Sequence, residues 1–141
     1  MSIGLWVRGA RPKTLATSIA SVMVGAAMAY VHIEQSGTCI AIYPEPASCA
    51  TAREQQTLLM DRFWPVTILC LLVALFLQIA VNYANDYSDG IRGTDAGRDT
   101  DESKSGKPQR LTASGLVPAK HVLFAAMICA AIACICGIAA I

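Results

Sequence analysis

The sequence contains 141 residues, of which 55% are apolar and 15% are charged. Its mean hydropathy of +0.49 excludes an ordinary soluble domain, because the apolar residues are gathered into long blocks rather than amphipathic stripes. The formal net charge is only +1, so we predict no nucleic-acid partner. The sequence therefore predicts an all-α integral membrane protein that lies in a lipid bilayer.

Three apolar blocks are close to the ~20 residues with which a helix crosses the hydrocarbon core. They predict membrane spans at residues 14–33, 64–86 and 119–141, with an outer loop at 34–63 and a cytoplasmic loop at 87–118. The first block is rich in small residues, which favours close packing in a larger helix bundle. Because the third block reaches Ile141 without a polar flank, we expect these residues to be the N-terminal portion of a longer protein.

The distribution of Lys and Arg predicts the orientation of the spans, since cytoplasmic loops carry an excess of positive charge. Basic residues are frequent before the first span and after the second. In the 34–63 loop the only basic residues are Arg53 and Arg62, which are outnumbered by acidic residues. We therefore predict a multi-pass protein of the cytoplasmic membrane, with its N-terminus in the cytoplasm. The outer loop is also compatible with a short surface helix near residues 50–60.

Two of the six cysteines, Cys39 and Cys49, fall in the predicted outer loop. They would form a disulfide if that side of the membrane is oxidising, and two unpaired thiols are equally compatible with the sequence. The other four cysteines lie in predicted spans, where a thiol behaves as a small apolar group.

The most polar feature beside a span is the run Asn82-Tyr-Ala-Asn85-Asp86-Tyr-Ser-Asp89, which follows the second apolar block. Ionisable groups at membrane depth are costly and mark functional sites. At 100° per residue, Asn82, Asp86 and Asp89 share one helix face, and Asn85 lies beside it. A face that carries only oxygen ligands suits Mg²⁺, with substrate phosphates completing the coordination. The alternative, a polar helix end in which Asp89 pairs with Arg92, does not explain Asp86 or the amides.

A group of basic residues follows in the predicted cytoplasmic loop. Lys104 and Lys107 are explained as positive charges that set the orientation of the spans. Arg110 lies in a turn bracketed by Gly and Pro, and its planar guanidinium matches phosphate oxygens. Mg²⁺ held by carboxylates beside such an arginine would make a diphosphate site.

Three segments together resemble a known family. Asn85-Asp86-x-x-Asp89, at the end of the second span, is similar to the first aspartate-rich motif of the UbiA superfamily of intramembrane prenyltransferases. The segments at 10–14 (Ala-Arg-Pro-Lys-Thr) and 108–115 (Pro-Gln-Arg-Leu-x-x-Ser-Gly) are most similar to its branch in menaquinone biosynthesis. The resemblance covers the whole chain but only the N-terminal part of the family's bundle of about nine helices.

The resemblance implies transfer of a polyprenyl group from an isoprenyl (polyprenyl) diphosphate to 1,4-dihydroxy-2-naphthoate, with loss of CO₂ to give demethylmenaquinone. It also implies Mg²⁺ as cofactor, bound by Asp86 and Asp89 as catalytic residues. Gly93 stands where the widest form of the motif has a further acid, so Asp95 is the third metal ligand that we predict. The residues predicted to bind the diphosphate are Asn82, Asn85, Arg110 and Lys13. For Lys13, a role as an orienting charge explains its position equally well.

The family has a second aspartate-rich motif in a later span, and no acidic residue follows Glu102 in this sequence. We therefore expect no catalysis from these residues alone. Two other interpretations stay open. One is a non-enzymatic divalent-cation-binding or transport subunit that uses the same carboxylates, and the other is a truncated, inactive gene product.

Overall fold

The computed structural model describes residues 3–37, 46–92, 111–112, 115 and 117–141, without the side chains of 46–48. Within these ranges the chain forms helices and no strand, which confirms the predicted all-α class. In chain order, the helices are α1 (Ile3–Gly9), α2 (Pro12–Ser36), α3 (Pro46–Arg92) and α4 (Ala119–Ala139).

Three of these helices are long and apolar enough to cross a membrane: α2, α3 from Cys49 onward, and α4. The prediction of three membrane-spanning helices is thereby confirmed. Large apolar side chains lie exposed on each of them, including Met28 on α2, Ile68 on α3 and Ile138 on α4. Lipid, unlike water, tolerates such a surface. The chain is therefore a membrane protein.

Prolines mark the starts of the three long helices. Pro12 and Pro46 are the first residues of α2 and α3, and Pro118 immediately precedes α4. The first backbone N–H groups of a helix have no partner within it, so proline loses nothing there and its fixed φ favours the helical conformation.

The predicted outer loop at 34–63 needs correction, because residues 34–36 belong to α2 and residues 46–63 belong to α3. The polar composition suggested a loop, but Ala, Glu, Gln, Leu, Met and Arg are strong helix formers and dominate this stretch. The start of the predicted cytoplasmic loop is also helical, as far as Arg92. At 1.5 Å per residue, the 47 residues of α3 extend about 70 Å, more than twice the ~30 Å hydrocarbon thickness.

The outer ends of α2 and α3 are joined by polar and aromatic contacts. The Gln56 side chain donates a hydrogen bond of 3.0 Å to the Glu34 carbonyl. Nearby, the rings of Tyr30 and Phe63 meet edge to face with centroids 5.5 Å apart. Cys49 at this end is disulfide-bonded, whereas Cys39 lies outside the described residues.

The buried core lies at the opposite end of α3, where α3 packs between α2 and α4. Its members come from α3, from α4, from the connection between α1 and α2, and from the segment that precedes α4. They are Ala10, Tyr83, Leu111, Val117, Val122 and Ala126. This core surrounds the acidic end of α3 and fixes the parts of the chain that meet there.

Candidate functional site

Three parts of the chain converge at the acidic end of α3. They are the α1–α2 elbow at residues 9–14, the helical residues 82–90, and the segment 111–117, of which 111, 112, 115 and 117 are described. We call this region the junction. The junction contains the predicted motif, and contacts with other parts of the chain hold several residues of that motif in place.

Asn82 joins α3 to the elbow. It is only 4% exposed, and its side-chain nitrogen donates to the Ala10 carbonyl at 2.8 Å and to Thr14 Oγ1 at 3.0 Å. Its carbonyl oxygen accepts a weaker bond of 3.4 Å from Gln78. The amide protons predicted to bind diphosphate are therefore directed at the protein, and the proposed role of Asn82 at a diphosphate stays a prediction.

The elbow has an uncommon backbone conformation at Arg11, with φ 51° and ψ 72°. The left-handed region costs a residue with a Cβ about 1–2 kcal/mol. The conformation is held because Thr14 donates both its backbone N–H and its hydroxyl to the Arg11 carbonyl, each at 2.9 Å. Since Thr14 Oγ1 also accepts a hydrogen bond from Asn82, α3 stabilises the elbow directly.

Tyr83 fixes α1 in the same way that Asn82 fixes the elbow. Its hydroxyl donates a hydrogen bond of 2.9 Å to the Trp6 carbonyl, and the two rings meet edge to face at 5.6 Å. At Gly9, an added Cβ would lie 2.5 Å from Leu111 Cδ1 and 3.2 Å from Tyr83 Cε1. A side chain at residue 9 would therefore force Leu111 to shift from its place between α1 and α3.

Asp86 is the best-buried acid of the motif, with 2% of its surface exposed. Its Oδ2 accepts a hydrogen bond of 2.7 Å from the backbone N–H of Leu111. A bond of this length to a carboxylate is charge-assisted and stronger than a neutral one. Leu111 itself is fully buried, and its carbonyl accepts the N–H of Val117 at 3.2 Å. Asp86 thus binds the segment that leads into α4.

Sequence reasoning missed the contribution of the 111–117 segment, which it treated as part of a polar loop. The available signal was the pair of apolar residues Leu111 and Val117 within that loop. A second contact supports the docking, since Thr112 lies directly against Gly90 and a side chain at Gly90 would overlap it. Gly115 supplies the positive φ of 69° that this turn requires.

The other predicted site residues differ in accessibility. Asp89 is half-buried, while Asn85 and Lys13 are exposed. Asp95 and Arg110 lie outside the described residues. Within the described ranges, no group of three His, Cys, Asp or Glu side chains could hold a metal ion, so the acids described at the junction are the pair one turn apart on α3.

This donor set fits a hard cation that is bound partly by its substrate. Mg²⁺ prefers oxygen ligands and is commonly held by one or two carboxylates, with water and phosphate oxygens completing its octahedron. Asp86 and Asp89 provide two such carboxylates at i and i+3, and the exposed amide of Asn85 immediately precedes Asp86 in the sequence. The chemistry of the residues present is therefore compatible with Mg²⁺.

Comparison with known proteins finds relatives that all carry the same name. The chain is 37% identical over 138 residues to the 1,4-dihydroxy-2-naphthoate octaprenyltransferase of Mycobacterium tuberculosis, which covers 97% of this chain and 35% of that protein. The protein of the same name from Mycobacterium leprae is 34% identical, and the match covers 98% of this chain and 35% of that protein. The protein of the same name from Haemophilus influenzae is 30% identical, and the match covers 84% of this chain and 28% of that protein.

No protein-family model matches the chain, and no solved structure matches it. The chain spans about a third of the length of the first two curated relatives. The resemblance seen in the sequence motifs is nevertheless confirmed, because the matches cover almost the whole chain. The chain is a homologue of the 1,4-dihydroxy-2-naphthoate octaprenyltransferases.

Proposed function

We propose that the protein to which this chain belongs transfers a polyprenyl group from an isoprenyl diphosphate to 1,4-dihydroxy-2-naphthoate in a Mg²⁺-dependent reaction. The observation that carries the proposal is the match to three proteins of that name over most of this chain. The junction supports it, because it places acidic and amide side chains at the end of an apolar helix. Since the chain spans about a third of the first two relatives, the activity is proposed for the whole protein.

The metal would be held by the acidic end of α3, with Asp86 and Asp89 supplying negative charge and Asp95 as the further acid. Bound Mg²⁺ neutralises the charge that develops on the diphosphate leaving group. The proposed diphosphate contacts are Asn85, Lys13 and Arg110, together with any contribution from Asn82. Asn85 and Lys13 are exposed in the structure and thus accessible to a ligand.

The position of the junction suits a substrate that is part lipid and part anion. Apolar residues precede Asn82 along α3 for several turns, so a polyprenyl tail can stay in hydrocarbon while the diphosphate reaches the polar helix end. In the reaction, the bond between the prenyl carbon and the diphosphate oxygen breaks and a bond to the naphthoate ring forms. The ring carboxylate leaves as CO₂, which gives the carbon skeleton of demethylmenaquinone.

The proposed orientation in the cell membrane has the junction and the N-terminus in the cytoplasm. Cys49 and Asp86 are about 55 Å apart along the axis of α3, at 1.5 Å per residue, which is far enough to put them on opposite sides of a bilayer. The disulfide at Cys49 requires an oxidising compartment, which supports an outer location for that end.

The test is prenyl transfer by membranes that contain the complete protein, supplied with 1,4-dihydroxy-2-naphthoate and a polyprenyl diphosphate. We expect product only with Mg²⁺, and a loss of about 100-fold or more in Asp89→Asn, as for other electrostatic groups at reacting centres. Lys120→Gln, at the start of α4 and exposed, is a matched control for a charge change. Undiminished transfer by Asp89→Asn, or after complete chelation of divalent ions, would refute the proposed mechanism.

A further inference from the structure

A groove lies between α2 and α3, toward the ends of these helices that are opposite the junction. It has a volume of about 570 Å³, and its walls include Gly25 and Ala29 of α2 and Phe63 and Cys70 of α3. Among the described residues that line it, only Arg62 is charged, and nearly all the others are apolar. We call this feature the outer groove. We propose that the outer groove binds a membrane phospholipid, with one acyl chain along its walls and the phosphate on Arg62.

The depth of the outer groove matches one leaflet of the bilayer. Arg62 and Asp86 are about 36 Å apart along α3, slightly more than the ~30 Å hydrocarbon thickness. With the junction at the cytoplasmic surface, Arg62 therefore reaches the outer surface. The nearby Trp64 is 63% exposed, and tryptophan is enriched at that depth of a membrane. From Arg62 to Cys70 the groove descends about 12 Å, close to half of the hydrocarbon thickness.

Small residues of α2 leave room for a hydrocarbon chain. A Cβ added at Gly25 would meet no atom within 4 Å, so the space beside this residue is open. Ala26 and Ala29 line the same stretch, and Val66 lines it from α3. Walls of this kind offer water no polar partners, so hydrocarbon fills the groove. A flexible acyl chain can follow such a narrow surface and gain dispersion contacts along it.

Arg62 determines which molecule supplies that hydrocarbon. Its side chain is exposed, and no residue in the described part of the chain forms an ion pair or hydrogen bond with it. A guanidinium at the edge of the hydrocarbon needs a polar or anionic partner, and its planar fork donates well to two oxygens of a phosphate. A phospholipid supplies a phosphate at this depth and an acyl chain directly below it. An apolar helix would also fill the groove, but it would offer the guanidinium no anion.

The first test concerns the phosphate. The complete protein, purified in detergent, is titrated with phosphatidylglycerol, and bound lipid is counted by native mass spectrometry. Arg62→Gln removes the charge, and we expect it to weaken binding by about five-fold or more, as for the loss of a hydrogen bond to a charged group. Arg53→Gln is the matched control on the same helix, because Arg53 is exposed and does not line the groove. It should change binding by less than about two-fold.

The second test concerns the acyl chain. Gly25→Leu places an apolar side chain in the open space and should weaken lipid binding at least as much as Arg62→Gln does. Ala27→Leu is its control, because Ala27 lies at nearly the same depth of α2, is exposed and does not line the groove. Since a ligand that binds the folded state stabilises it, phosphatidylglycerol should raise the unfolding temperature of the wild type and of Ala27→Leu. It should not raise that of Gly25→Leu.

The proposal is overturned if Arg62→Gln binds phosphatidylglycerol as well as the wild type, or if Gly25→Leu binds it as well as Ala27→Leu. It is also overturned if Gly25→Leu unfolds at a lower temperature than Ala27→Leu in lipid-free detergent, because another helix of the complete protein then fills the groove. Glycerol 3-phosphate, which lacks the acyl chains, should not raise the unfolding temperature, and an effect equal to that of the lipid would assign Arg62 to a free phosphate instead. None of these measurements uses prenyl transfer, so their failure would leave the proposed function untouched.

Discussion

The side-chain amide of Asn82 on α3 donates a hydrogen bond of 3.0 Å to Thr14 Oγ1 on α2, which lies 68 residues away in the sequence. Its other proton is directed to the Ala10 carbonyl, so a single residue holds both sides of the elbow at Arg11. One turn further along, Asp86 binds Leu111. The acidic end of α3 is therefore fixed by two other parts of the chain. A site held in this way needs little rearrangement when its ligand binds.

The first prediction concerns the amide of Asn82. Asn82→Ala should lower the free energy of unfolding by about 2 kcal/mol, because it leaves buried acceptors without their donor. The measurement is thermal unfolding of the complete protein in detergent. Asn85→Ala, one turn away on the same helix and exposed, is the control and should change stability by less than about 0.5 kcal/mol. Equal unfolding temperatures for the two variants would contradict the role assigned to Asn82.

A second prediction follows from the close approach at Gly9. Gly9→Ala should destabilise the protein by about 1–3 kcal/mol, because its Cβ would lie 2.5 Å from Leu111 Cδ1 and overpacking has costs of that size. Gly25→Ala is the matched control. A Cβ there meets nothing within 4 Å, so the higher helix propensity of alanine should stabilise α2 by up to about 1 kcal/mol. Opposite shifts in unfolding temperature are expected, and shifts of the same sign would contradict the packing described.

Much of this architecture could be predicted from the sequence because the bilayer imposes strong constraints on composition. Apolar blocks of spanning length identified the three membrane helices, and the exposed apolar residues of α2, α3 and α4 agree with that prediction. The grouping of Asn82, Asp86 and Asp89 on one face followed from helical periodicity alone. The homology to prenyltransferases was likewise anticipated from short motifs.

The length of α3 and the docking of residues 111–117 could not be predicted in the same way. Helix formers in the 46–63 stretch occur beside prolines and charges, and the sequence does not show whether such a stretch continues a membrane helix. The bond between Asp86 and Leu111 joins residues 25 positions apart, and no local pattern encodes it. The sequence motif predicts Asp86 and Asp89 as metal ligands but does not indicate how deeply each is buried. Their difference in burial is visible only in three dimensions.

A third prediction isolates the hydroxyl of Tyr83. Tyr83→Phe keeps the ring that packs on Trp6 but removes the hydrogen bond of 2.9 Å to the Trp6 carbonyl, so it should cost about 1 kcal/mol of stability. Tyr30→Phe is the control, because that ring also makes an edge-to-face contact but its residue is exposed. Thermal unfolding of the two variants measures the difference. No destabilisation by Tyr83→Phe relative to Tyr30→Phe would show that the bond contributes nothing.

The last prediction concerns where α3 leaves the membrane. Since α3 is about 70 Å long and the hydrocarbon about 30 Å thick, its N-terminal part should lie outside the bilayer. In a protein whose native cysteines are replaced, Arg53→Cys should react with a membrane-impermeant maleimide added to intact cells. The Ile68 side chain is exposed in the structure, but Ile68→Cys should stay unlabelled because lipid covers this position. Arg92→Cys, at the other end of α3, should react only in inside-out vesicles. Labelling of Ile68→Cys would contradict the placement of the span, and labelling of Arg53→Cys only in inside-out vesicles would reverse the proposed orientation.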